Sequence, residues 1–233
     1  MDTSFPTPAD YEQARQLQRD LAAQVVISGD PGGVRLLAAL DASHKRGGNL
    51  VAAAVLWDCE QNRVREVGLA DVDPGAVFPY VPGFLSFREA PVYLEALAQL
   101  WQRPELLLVD GQGIAHPRSL GIASHLGVHL NLPSIGVAKK PLVGRATAEL
   151  ATEAGSAVSL EYKGEAIGWV YRSRTNVKPL YLSPGHRVGL NETLSFVRRL
   201  PTPTKLPEPL RQAHQWAGKA RKEKLRGRIE IAP

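Results

Sequence analysis

The apolar positions of this chain follow two periods in turn, and their alternation lays out an α/β protein. Helical spacing comes first: over 8–27, Tyr11, Leu17, Leu21 and Val25 fall on one side while Glu12, Arg15, Arg19 and Asp20 fall on others, which predicts an amphipathic helix covering the core. Three β-patterned runs follow at 34–41, 50–59 and 64–72, separated by the turn-forming stretches 44–49 and 60–63, and this spacing predicts an antiparallel meander. The stretch 78–87 is rich in proline, glycine and aromatic residues, fits neither period, and reads as a shaped loop. From about Arg88 the helical period returns, with Tyr93, Ala96, Leu97, Leu100 and Trp101 on a core-facing stripe and Glu89 in the first turn, pointing out of the helix start. A strand ending at Asp110, a helix over 119–129 and a strand over 134–138 then form a β-α-β passage, whose strands pair in parallel. Further strands are expected at 157–162, 166–171 and 180–182, with a helix at 190–200. Pro201, Pro203, Pro207 and Pro209 break the chain before a last helix over 210–224 that carries His214 and Trp216. The architecture implied is a mixed central sheet flanked by helices.

Composition narrows the class. With 233 residues, 44% of them apolar and 22% charged, the chain can build one full core, read here as a single domain over 1–220 followed by a basic tail over 221–233. The longest apolar runs, 50–57 and 106–109, fall far short of the roughly 18 residues a membrane span needs. The first ten residues have neither a basic segment nor an apolar one, so the expectation is a cytoplasmic protein, which is read separately as a monomer. Cys59 is the only cysteine, which rules out an internal disulfide and gives it no cysteine companion for a zinc site. The net charge of +5 is localised: residues 219–228 carry six basic side chains against Glu223, the entire excess. Such a run supplies salt-dependent, sequence-blind attraction to phosphates.

The chemistry is foreshadowed at two strand ends. In Leu106-Leu107-Leu108-Val109-Asp110-Gly111-Gln112-Gly113 a buried-strand pattern runs into a carboxylate and then a glycine turn, and Leu36-Leu37-Ala38-Ala39-Leu40-Asp41 repeats the grammar. A strand buried on both faces cannot hold a charge within it, so each acid belongs where its strand leaves the core. One strand-terminal aspartate is usually a cap or a turn former. Two of them, joined by Glu89, form a set whose members repel one another and stay ionised at neutral pH only with cations between them, which points to a divalent metal site.

Longer stretches carry a resemblance. Pro79-Tyr80-Val81-Pro82-Gly83 and Phe87-Arg88-Glu89-Ala90-Pro91, within 78–91, are one block; Val109-Asp110-Gly111-Gln112-Gly113-Ile114-Ala115-His116-Pro117-Arg118, continuing to Gly127, is a second. Pro133-Ser134-Ile135-Gly136-Val137-Ala138-Lys139-Lys140 and Ser183-Pro184-Gly185-His186-Arg187 complete the set. These blocks resemble the endonuclease V family, nucleases of deaminated nucleic acid, over nearly all of the chain up to about residue 220. The order of elements, meander first with an acid on its first strand and a second acid on the fourth, is that of ribonuclease H-like nucleases.

The resemblance implies a fold, a reaction and residue roles. The fold is ribonuclease H-like. The reaction is hydrolysis of the second phosphodiester bond 3′ to hypoxanthine in DNA, leaving 3′-hydroxyl and 5′-phosphate ends. Asp41, Glu89, Asp110 and His214 align with the acidic and metal-binding positions, with Mg²⁺ the natural ion for oxygen ligands and Mn²⁺ acceptable beside an imidazole. Lys139 resembles a lysine near the scissile phosphate. Pro79, Tyr80, Val81 and Pro82 form the expected wedge that fills the gap left by an extruded base, with Tyr80 at its tip. Gly83, Leu85, Gly111, Gly113, Gly121 and Gly136 form the expected base pocket. Two departures stand out: Gln112 lies where histidine is frequent, and Ala42-Ser43-His44 replaces more hydrophobic residues. His125 and His129 have the spacing of a metal pair but no intervening glutamate in the metalloprotease arrangement, and read as structural. The rivals to this reading are an inosine-directed RNA nuclease of the same fold and a lesion-binding protein that does not cut.

Overall fold

The structure, a computed structural model, describes residues 3–45 and 48–231. Among the described residues ten strands form one mixed sheet in the order β10-β3-β2-β1-β4-β5-β9-β8-β7-β6. The meander is β1 (Leu36–Ser43), β2 (Leu50–Asp58) and β3 (Arg63–Val72), paired antiparallel; of the turn expected between β1 and β2, residues 46 and 47 lie outside the described set. Parallel pairing joins β1 to β4 (Leu106–Asp110) and β4 to β5 (Ser134–Ala138), across helix α3 (Ile122–Leu130), as the β-α-β order predicts. Antiparallel strands continue outward through β9 (Leu180–His186), β8 (Glu165–Tyr171), β7 (Ala157–Tyr162) and the short β6 (Arg145–Ala146).

Strand parity assigns the two faces of the core. Leu37, Ala39, Val51, Val55, Leu106, Leu108, Ile135 and Val137 pack under α4 (Leu190–Arg199) and α5 (Glu208–Glu223). Ala38, Leu40, Ala52, Ala54, Leu107 and Val109 pack under α2 (Leu85–Ala98) and α3. Both faces of β1, β2 and β4 are therefore covered, which is why their sequences read as continuous apolar runs. On α5 the buried residues Leu210, Ala213, Ala217 and Ala220 recur at helical spacing, and the alanines let the helix axis approach β1 and β2 closely.

Several expectations are corrected. Helix α1 (Tyr11–Ala22) is shorter than 8–27, capped by the Asp10 carboxylate on the Gln13 amide at 2.8 Å, and it buries Ala14 and Gln18 while Tyr11 stays exposed. Helix α2 starts at Leu85, so Glu89 lies in its second turn and faces inward, and it ends at Ala98, leaving Trp101 79% exposed under the Arg228 guanidinium, 3.7 Å from the ring centre. Strand β9 runs four residues beyond 182, through Pro184. The stretch 221–231 is not a loose tail: it completes α5, turns at Lys224 with φ 56°, and adds the edge strand β10 (Gly227–Glu230) beside β3.

Candidate active site

Three adjacent strands deliver charged side chains to one place. Leu40 of β1 pairs with Val109 of β4, so Asp41 and Asp110 follow as neighbours; Asp110 pairs with Val137 of β5, which brings Lys139 next. Alternation decides the face: Asp41 and Asp110 share the parity of Leu37, Ala39, Leu106 and Leu108, whose side chains meet α5. There His214 of α5 bonds Asp41, Nδ1 to Oδ2 at 2.6 Å, and the Lys139 ammonium forms an ion pair with Asp110 Oδ2. Glu89 reaches the cluster from α2, where the buried Tyr93 hydroxyl donates to its Oε2 at 3.3 Å.

The electrostatics show what this crowding does. Burial, then the Asp110 charge, push the Asp41 carboxyl up to about 6, against the opposing pull of Lys139 and His214. Burial, then Asp41, push Glu89 up to about 8, the Tyr93 hydrogen bond opposing and Asp110 adding to the rise. Burial alone would lower Lys139, but the Asp110 charge and hydrogen bond, with Asp41, hold it above its ordinary value. Three carboxyl groups therefore crowd against a single ammonium, and two of them are pushed towards holding their protons, a condition that a divalent cation relieves. The donor set, oxygens with one imidazole available, fits such an ion. Among the described residues no three histidine, cysteine or acidic side chains stand, as placed, in a group that could hold one ion; Lys139 pairs with Asp110 and His214 with Asp41.

Beside the cluster lies a recess of about 40 Å³, lined by Gln18, Gly83, Leu85, Ser86, Gln112, His116, Leu120, Gly121, Ile122 and Leu142. Gly83 brings the end of the loop 79–83 to its lining; in that loop Tyr80 is 65% exposed, while Phe78 and Phe84 on either side are buried with Phe87. One carbonyl anchors that loop. Gly83 O accepts from Gln18 Nε2 at 3.0 Å and Arg118 Nη2 at 2.8 Å, and faces His116 Nε2 at 3.0 Å. Because His116 Nδ1 accepts from the Arg118 amide at 3.2 Å, the ring proton is on Nε2, which donates; burial pulls this imidazole down to about 4 and keeps it neutral. Gly83 itself has φ +84°, a conformation L side chains rarely adopt. On the recess wall, Gln112 Nε2 donates to the Lys140 carbonyl at 2.9 Å, while Gln112 Oε1 is buried with no hydrogen-bond partner.

The structure thus brings Asp41, Glu89, Asp110, Lys139 and His214 together, and places Gly83, Leu85 and Gly121 on the recess. Gly111, Gly113 and Gly136 are not on its wall. A Cβ on Gly136 would stand 2.4 Å from the Gly113 nitrogen, and one on Gly113 would stand 2.1 Å from the Pro184 carbonyl oxygen, so these glycines let the β4 and β5 ends and β9 meet. Sequence reasoning did not anticipate Gln18 and Arg118, which also bond each other at 2.5 Å. Their signal was a buried-face spacing, Ala14 to Gln18, and an arginine inside a long motif. His125, by contrast, belongs to the core: its Nδ1 meets Ser86 Oγ at 3.0 Å, its ring lies against Phe5 and Phe87, and burial lowers it to about 3.

The profile of the family described as Endonuclease V matches residues 19–215. The chain is 64% identical over 219 residues to an endonuclease V of Thermus thermophilus, covering 94% of this chain and 96% of that relative. It is 47% identical over 212 residues to the endonuclease V of Gloeobacter violaceus, covering 91% and 86% of the two chains. Among solved structures, the endonuclease V of Streptomyces avermitilis superposes with a TM-score of 0.86 at 37% identity, covering 93% of this chain and 95% of that one. The human protein superposes at 0.81 with 30% identity, covering 92% and 99%.

Proposed function

The chain belongs to the endonuclease V family, metal-dependent nucleases that act on nucleic acid, and we propose that it recognises hypoxanthine in DNA and hydrolyses the second phosphodiester bond on its 3′ side. The observation that carries this reading is the convergence of Asp41 near the end of β1, Glu89 in the second turn of α2, Asp110 at the last residue of β4 and Lys139 just past β5, next to a recess lined by Gly83 of the loop that exposes Tyr80. No helix among the described residues is long and apolar enough to cross a membrane.

A divalent cation, Mg²⁺ or Mn²⁺, held by Asp41, Asp110 and Glu89, would neutralise the phosphate and lower the pKa of the attacking water. The remaining work falls to the chain. Lys139 offers a point charge for the negative charge that develops on the phosphate oxygens. Asp41 holds the exposed His214 ring in place through Nδ1. The P–O3′ bond breaks as water oxygen joins phosphorus, leaving 3′-hydroxyl and 5′-phosphate ends. Tyr80 and its prolines fill the gap left by the extruded base, at a cost of a few kcal/mol that is smallest for a mispaired base. The recess is near the volume of a single water, so a base enters as the loop 79–83 and the exposed Leu142 give way.

Matched single- and double-stranded DNA and RNA oligonucleotides carrying one inosine, incubated with Mg²⁺, Mn²⁺ or EDTA, test the proposal. The expected result is metal-dependent cleavage of inosine DNA only at the displaced 3′ position. Binding without cleavage in every arm would overturn it, and cleavage confined to RNA would reassign the substrate.

Gln112 supplies the base preference. Its buried, unpaired Oε1 is an acceptor, and hypoxanthine carries a donor at N1 where adenine carries a lone pair. Satisfying a buried orphan acceptor stabilises by about 1–3 kcal/mol, so Gln112→Leu should reduce the preference for inosine over adenosine oligonucleotides roughly tenfold in fluorescence anisotropy. An equal loss on both oligonucleotides would mean that Gln112 only holds the Lys140 turn.

A further inference from the structure

The basic run that supplies the net charge is folded against the candidate site. Seven residues after His214 on α5, about two turns and on the order of 10 Å further along the axis, Arg221 Nε donates to Ser43 Oγ at 2.9 Å, two residues past Asp41 on β1. Beyond it a groove of about 460 Å³ is lined by Lys45, Arg221, Lys224 and Arg226, with Asn49 and Val51. Arg226 is neutralised by Asp71. Lys45, Arg221 and Lys224 take part in no ion pair among the described residues, so three positive charges line one groove uncompensated. The groove lies on the β2 and β3 side of Asp41, while the recess lies on the β4 and β5 side, so the carboxylates stand between them.

We propose that this groove holds the sugar-phosphate backbone of the cut strand, a few nucleotides from the scissile bond, through Lys45, Arg221 and Lys224. The proposal rests on the nuclease reading above. A hydroxyl-anchored arginine beside two lysines, with no acidic partner, suits a strongly hydrated polyanion and carries no base-reading geometry. The contribution is therefore to affinity and to the track of the strand, with no part in choosing the base. At about 3.4 Å of axial rise per nucleotide, about 10 Å corresponds to roughly three nucleotides from the position of His214.

Fluorescence anisotropy in EDTA, with inosine and adenosine oligonucleotides over a salt series, tests it on Arg221→Gln/Lys224→Gln against the wild type. Each lost phosphate contact lowers the slope of log affinity against log salt by about 0.7–0.9, so the double variant should lose about 1.4–1.8. Affinity at low salt should fall about tenfold or more and equally for both oligonucleotides. Arg221→Lys/Lys224→Arg should retain the wild-type slope, which separates loss of charge from loss of fold. An unchanged slope in the glutamine variant, or a loss confined to inosine, would overturn the groove assignment. Absence of salt-dependent binding by the wild type would instead overturn the nuclease reading itself.

Discussion

Asp110→Asn is expected to lower metal-dependent cleavage of an inosine oligonucleotide by about 10³-fold or more while leaving its binding and the thermal stability of the protein intact. The size follows from the role: positioning a cation at a phosphate contributes several kcal/mol to the transition state, and each 1.36 kcal/mol or so is about tenfold in rate. The sparing of stability follows from the surroundings. Asp110 lies at the last residue of β4, partly accessible, and its charge pushes Asp41 and Glu89 upward, so an amide there removes a repulsion along with the Lys139 ion pair. An exposed ion pair of this kind contributes about 0–1 kcal/mol, so the two losses nearly offset. Single-turnover cleavage, anisotropy and a thermal melt on the same preparation decide it. Cleavage within tenfold of wild type would remove Asp110 from the reaction, and a large drop in melting temperature would make it a structural turn residue.

The strand ends were legible because burial on both faces drives an ionised group towards the place where the strand leaves the core: Asp110 is the last residue of β4, whereas β1 runs two residues past the buried Asp41, further than the expected end of that strand. Their neighbourhood was legible too: a meander followed by β-α-β puts the first and fourth strands side by side in parallel. Glu89 was placed on the right element in the wrong turn. The helical period from Tyr93 to Leu97 was extrapolated at both ends, whereas packing starts α2 at Leu85 and ends it at Ala98, exposing Trp101. Strand β10 stayed hidden because a run of arginine and lysine looks like a solvated tail; on a sheet edge, such charges coexist with backbone pairing and guard that edge. The length of β9 was hidden by Pro184, which breaks a strand pattern but is tolerated opposite Ile135 beside a register shift. The anchoring of Gly83 by Gln18 and Arg118 joins residues 65 and 35 positions away, a long-range arrangement that local pattern does not reveal.

Glu89→Gln should make the metal-free protein more stable at pH 8 while removing cleavage. In the folded protein the carboxyl has been pushed up to about 8 from its ordinary value of 4.5, chiefly by burial and then by Asp41. A carboxyl whose folded value is raised contributes most to stability below the unfolded value, and that contribution is lost as pH rises from about 4.5 through 8. Glutamine matches the protonated side chain in shape, and its carbonyl still accepts from the Tyr93 hydroxyl, so the variant escapes the loss. The gain at pH 8 should be on the order of 3 kcal/mol, or about 6–12 °C in melting temperature for a chain of this size. His116 and His125, lowered by burial to about 4 and 3, act in the opposite sense: their contribution is full above about 6.5 and is lost as pH falls below it. The wild type should therefore be most stable at intermediate pH and weaken on both sides. The variant should keep the acid limb and lose most of the alkaline decline. Urea or thermal unfolding in EDTA at pH 5, 6.5 and 8 measures this directly. Addition of Mg²⁺ or Mn²⁺ at pH 8 should raise the wild type towards the variant, because an ion bound only by the folded state stabilises it by mass action. Equal stabilities at pH 8, or a difference that is the same at pH 5, would show that Glu89 does not share a crowded charge cluster with Asp41 and Asp110.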